Sequence, residues 1–129
     1  MRRRSSQARD TWRRGDGSQT RDFVFVADVV QGLLTAASAP AAGVYNIGTG
    51  VGSSVLELHQ VCARVAGVEL QPRFAPERPG DLRRSILDVS LAEEALGWRA
   101  ETRLEDGVAR TWDVVSCEGP ARAGPSQCS

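Results

Sequence analysis

Apolar residues recur along this chain in short bursts, some contiguous and some at helical spacing, separated by turn residues. Phe23-Val24-Phe25-Val26 is a contiguous, β-rich apolar run and predicts a buried strand or extended segment. From Val29 to about Ala37 the pattern is helical, with Asp28 placed to cap it and Pro40 and Gly43 placed to end it. Val44-Tyr45-Asn46-Ile47 predicts a second short strand, and Gly48-Thr49-Gly50-Val51-Gly52 a glycine-rich turn. Ser54-Val55-Leu56-Glu57 is a capping box: serine accepts from a free helix N–H, and glutamate reaches back three residues later. Val55, Leu58, Val61, Cys62 and Val65 then follow at amphipathic spacing, and Gly67 is the expected C-terminal stop. Val68 to Phe74 predicts a strand, Arg78-Pro79-Gly80-Asp81 a loop, and Ser85-Ile86-Leu87-Asp88 a short extended segment. Ser90-Leu91-Ala92-Glu93 is another capping box, opening a helix that ends at Gly97. Leu104 to about Val115 is a last helix, with Leu104, Val108, Ala109 and Trp112 on one face.

Strands alternating with helices predict an α/β architecture. Two or three strands make a thin sheet, which needs a partner to bury both faces. A length of 129 residues allows one domain or less. The expected division is a disordered basic arm at 1–14, a folded portion at 15–115, and a disordered Gly-, Pro- and Ser-rich tail at 116–129.

Formal net charge is zero, but residues 1–20 hold six arginines against two aspartates. With no net charge and no binding motif, nucleic acid is not an expected partner. No apolar run approaches the ~18 residues of a membrane span, so a cytoplasmic protein is expected. Cys62, Cys117 and Cys128 are odd in number and widely spaced, which argues against a disulfide framework and against a metal site. Cys62 lies in an apolar helical pattern and is expected in the core. The single histidine, His59, is expected on a helix surface rather than as a ligand.

Three constellations bear on chemistry. Gly48 to Gly52 follows an expected strand and precedes a helix, with Glu69 some way beyond, which imitates a dinucleotide fingerprint. The third glycine stands one place too early, however, with Ser53 where the fingerprint needs it, so a structural turn is expected. Arg21 and Arg78 carry planar forks of donors that match phosphate oxygens two at a time. Pairing of Arg21 with Asp22 or Asp28, and of Arg78 with Asp81, is the plainer alternative. Finally, all 16 basic residues are arginines, and the only tyrosine, Tyr45, is followed four residues later by Thr49. Without a cation beside it a phenol keeps a pKa of about 10 and is a poor base at neutral pH.

The segment Gly15 to Val29, containing Arg21-Asp22-Phe23-Val24-Phe25-Val26-Ala27-Asp28, resembles NAD-dependent sugar-nucleotide epimerases and dehydratases. These are extended short-chain dehydrogenases, and the UDP-glucose 4-epimerase type is the most similar. Val44 to Gly50 with Ser54 to Leu58 resembles the family's next strand, turn and helix. Arg78-Pro79-Gly80-Asp81, Leu87-Asp88, Ser90 to Ala92 and Leu96-Gly97-Trp98 resemble its C-terminal signature. The blocks fall in the family's order and cover roughly residues 15–115, whereas residues 1–14 do not match the pattern.

The resemblance implies the C-terminal, sugar-nucleotide-binding portion of such an enzyme, with a strand and helix that would complete a Rossmann sheet. It implies Arg21 and Arg78 on the substrate diphosphate, Asp81 near the nucleoside ribose, and a sugar nucleotide, foremost a UDP-sugar, as ligand. NAD is implied for the intact enzyme, with no cofactor expected on this chain alone. The family's Tyr-x-x-x-Lys pair has no counterpart here. Ser85 stands where the epimerases often have tyrosine, and Ala27 where an acidic residue is common. The expectation is a truncated homologue with substrate-binding residues but no catalytic residues. The alternative is a non-catalytic module docking with a separate Rossmann-containing chain.

Overall fold

The computed structural model describes residues 11–40 and 42–117. Strand β1 (Thr11–Arg14) and strand β2 (Thr20–Arg21) lead into helix α1 (Val26–Ser38). Strand β3 (Ser53–Ser54) runs directly into helix α2 (Val55–Ala66). Then come β4 (Pro72–Ala75), β5 (Arg84–Ser85), α3 (Ser90–Leu96) and α4 (Leu104–Cys117). The expected α/β class is the observed one. Two small sheets form: β1 pairs parallel with β4, while β2 lies between β3, antiparallel, and β5, parallel.

Helix ends follow local chemistry closely. Ser54 caps α2 through Glu57 N–H at 3.0 Å, and Gly67 closes it with φ +66°, a left-handed conformation that costs glycine little. α3 starts at Ser90, but the expected capping box does not form: Val89 is the N-cap, without a side-chain cap bond, and the acceptor is Asp88, two residues before Ser90. Asp88 Oδ1 accepts from Ser90 N–H at 3.0 Å and from Ser90 Oγ at 2.7 Å. These bonds lower the Asp88 carboxyl below its ordinary pKa.

Several expectations are corrected. Helix α1 starts three residues before Val29, because Asp28 does not cap it. The Asp28 carboxylate is taken by Thr102, from N–H at 2.9 Å and from Oγ1 at 3.1 Å. Phe23–Phe25 and Val44–Ile47 are not strands: a ladder needs a neighbour, and neither has one among the described residues. β4 begins at Pro72 rather than Val68. Residues 11–14 of the expected disordered arm form β1, while the rest of that arm, 1–10, lies outside the described residues. Helix α4 extends through 116–117, and the rest of the expected tail also lies outside them.

The core is small. Val61, Ala92 and Trp98 are its buried apolar residues among those described, and Trp98 packs against Gly32 of α1, where a Cβ would meet its ring at 3.1 Å. His59 is buried, not on the surface, because the face of α2 that turns inward is centred on His59 and Val61. The Leu58–Cys62–Val65 edge of the expected stripe faces an open groove instead, so Cys62 is exposed rather than in the core. This groove, about 680 Å³, runs from Phe23–Val26 between α2 and α4 to Trp112 and Val115. Helix α1 likewise presents Val26, Val30 and Leu33, at i, i+4 and i+7, each exposed over about half of its surface or more. No helix among the described residues is long and apolar enough to cross a membrane.

Candidate functional site

The three-stranded sheet is what assembles the site. In the β2–β5 pairing Arg21 stands opposite Ser85 and Thr20 opposite Arg84, and Thr20 N–H also donates to Arg83 O at 2.9 Å. β5 emerges from the turn Arg78-Pro79-Gly80-Asp81. There Asp81 N–H donates to Arg78 O at 3.1 Å and Gly80 has φ +84°, the geometry of a type II turn with proline at its second position. Pairing β2 with β5 therefore brings this turn beside Arg21, across 60 residues of sequence.

Two of the three residues expected on a ligand meet there, and the third, Arg78, opens the same turn. Arg21 Nη2 donates to Asp81 Oδ1 at 3.4 Å, and Arg21 Nη1 to Thr20 O at 2.8 Å. Neither expected alternative partner is used: Asp22 and Asp28 are both committed elsewhere. Arg78 pairs with Asp81 through backbone only, and its side chain is exposed and outside every ion pair found among the described residues. The Arg21 and Asp81 side chains are about a third exposed, so their bond is worth little as stability and serves to orient the guanidinium. The site is an open shelf carrying two cations and one carboxylate.

Beneath it lies a feature that the sequence reading missed. Asp22 is cradled by the glycine turn: Thr49 N–H and Gly50 N–H each donate at 2.9 Å, and Thr49 Oγ1 donates to Oδ1. Burial pushes the Asp22 carboxyl up, but these hydrogen bonds outweigh it and hold it below its ordinary value. Gly48 is required here, since a Cβ would come within 2.8 Å of both Asp22 Oδ2 and Leu87 Cδ1. An acidic residue directly after Arg21 and a Gly-Thr-Gly turn needing an acceptor were the signals available.

This geometry also tests the fit of a dinucleotide. A fingerprint loop must aim free N–H groups at a pyrophosphate. The Gly48–Gly52 turn spends the amides of Thr49 and Gly50 on a carboxylate, which would repel one. The turn does not fit NAD, and no group of three or more His, Cys, Asp or Glu placed to hold a metal occurs among the described residues.

A family profile described as GDP-mannose 4,6 dehydratase matches residues 2–111. The chain belongs to the NAD-dependent epimerase/dehydratase family. The match includes most of segment 1–14, which the sequence resemblance left out. Among epimerase/dehydratase relatives, a UDP-glucose 4-epimerase of Mycolicibacterium smegmatis is 48% identical over 98 residues, 75% of this chain and 31% of that protein. A UDP-glucose 4-epimerase of Bacillus subtilis is 39% identical over 101 residues. The solved UDP-glucose 4-epimerase from Thermotoga maritima with UDP-glucose superimposes with TM-score 0.79 at 38% identity, covering 84% of this chain and 35% of that one. That from Bifidobacterium longum, in complex with NAD+ and UDP, gives TM-score 0.78 at 31% identity, covering 88% and 36%. The chain thus spans about a third of the length of these epimerase/dehydratase relatives. It is the C-terminal portion of an extended short-chain dehydrogenase.

Proposed function

We propose that this chain forms the diphosphate-binding edge of a sugar-nucleotide site, with a UDP-sugar as ligand, in a cytoplasmic epimerase or dehydratase. The observation that carries this is the Arg21–Asp81 contact, which brings two distant arginine motifs onto one shelf. A guanidinium has five donors. Arg21 uses two groups on Thr20 and Asp81, which set its plane and leave further N–H groups for phosphate oxygens. Arg78, at the other end of the turn, supplies a second fork, and Asp81 Oδ2 accepts from a ribose hydroxyl. Two arginines match the charge of a diphosphate, and their planar forks suit its oxygens better than lysine would.

The similar structures from Thermotoga maritima and Bifidobacterium longum contain UDP-glucose and UDP respectively, which supports this choice of ligand. In the intact enzyme NAD would take and return a hydride at the sugar ring. The residues described here offer it no binding loop, so their part is to hold and orient the nucleotide end of the substrate.

Calorimetric titration of the 129-residue chain with UDP, UDP-glucose and NAD, after cooperative unfolding has been verified, tests this assignment. UDP and UDP-glucose are expected to bind, with affinity that falls as salt is raised and that is reduced in Arg78→Ala. Binding of NAD in their place, or no UDP binding by a cooperatively folded chain, would contradict it.

A further inference from the structure

We propose that Asp22, without touching the ligand, sets the affinity of the nucleotide site by fixing where Arg21 stands; this rests on the diphosphate assignment above. Strand β2 is two residues long and is joined to β5 through two residue pairs. So short a ladder is a weak hold on a side chain that must meet a phosphate within a fraction of an ångström. The next residue is Asp22, and its carboxylate accepts from Thr49 N–H, Gly50 N–H and the Thr49 hydroxyl. It is a side-chain rung placed where the backbone ladder has ended. The glycine turn is thereby clamped immediately behind Arg21, and Leu87, beyond β5, packs against the same turn at Gly48.

The clamp has a second consequence. A carboxylate next in sequence to Arg21 is its nearest competitor for phosphate. Held by two N–H groups and a hydroxyl, Asp22 is turned away, and Arg21 reaches to Asp81 instead. Asp22 is a positioning residue: it keeps the guanidinium both placed and available.

The experiment compares Asp22→Asn with Asp28→Asn, a second carboxylate clamp of the same type that acts on Thr102 rather than behind Arg21. UDP affinity is measured by calorimetry and stability by urea unfolding on each. Asp22→Asn is expected to weaken UDP binding about tenfold, as displacement of a binding group does, whereas Asp28→Asn lowers stability and leaves the affinity of the folded fraction unchanged. Thr49→Ser, which keeps the hydroxyl, should bind like the wild type, and Thr49→Val should follow Asp22→Asn. Thr49→Val also serves if Asp22→Asn does not fold, because it leaves the carboxylate in place. Equal affinities in Asp22→Asn and wild type, or equal losses in the two clamp variants, would overturn the inference. Absence of UDP binding by the wild type would instead sink the diphosphate assignment. The NMR resonance of Arg21 Nε–H then decides for Asp22 alone: it must move in Asp22→Asn and Thr49→Val, and an unmoved resonance would overturn the positioning role.

Discussion

Replacing Arg21 with alanine is expected to weaken UDP binding by about 10- to 100-fold, the range for losing a charge-assisted, two-pronged hydrogen bond. The chain should remain folded, because the Arg21–Asp81 contact is partly exposed and contributes little to stability. The loss should exceed that of Arg78→Ala. Arg21 is oriented by Thr20 O and Asp81, whereas Arg78 is exposed and must be ordered by the ligand itself. Arg21→Lys should recover only part of the loss, since an ammonium keeps the charge but not the fork. Calorimetry across the three variants, with unfolding measured on each, checks the order. If Arg21→Ala binds UDP like the wild type, the shelf is not the phosphate site.

The largest effect on stability is expected at Trp98. It is the biggest of the three buried apolar side chains and fills the space between α3 and Gly32 of α1, beside Ile47. Trp98→Ala should cost about 3–5 kcal/mol, the usual range for emptying an aromatic site in a core. Small domains have stabilities of roughly 5–15 kcal/mol, and this core is thin, with the α1 stripe and the groove between α2 and α4 uncovered. Loss of most of the cooperative urea transition is therefore the expected outcome. Trp112, on α4 and 44% exposed, is the matched control, and Trp112→Ala should shift the midpoint far less. Similar midpoints for the two variants would mean that the packing around Gly32 does not hold the fold.

What could be read from the sequence was mostly local. The Ser54 cap and the Gly67 and Gly97 stops depend on residues a few positions apart, and each appears as expected, whereas the capping box expected at Ser90 gives way to Asp88. The strand-or-extended segment at Phe23–Val26 and the expected strand at Val44–Ile47 depend on neighbours that sequence pattern does not supply, and neither pairs into a sheet among the described residues. Side-chain commitments across the chain were hidden for the same reason. Asp28 looked like a cap because no local feature shows that Thr102 would claim it. His59 looked exposed because imidazole is polar, although it lies beside Val61 on the inward face of α2. At the proposed site, Arg21, Arg78 and Asp81 stand out by their motifs. That Asp81 would meet Arg21, and that Asp22 would be clamped by the glycine turn, follows only from the β2–β5 register.

The most direct measurement is NMR titration of the 129-residue chain with UDP, following the arginine Nε–H resonances. The prediction is that Arg21 and Arg78 shift together and saturably, while Arg103 and Arg110, along the apolar groove and over the Phe25 ring, stay fixed. Shifts confined to Arg103 and Arg110, or at backbone amides of the Gly48–Gly52 turn with Arg21 and Arg78 unmoved, would contradict a diphosphate shelf at the Arg78–Asp81 turn.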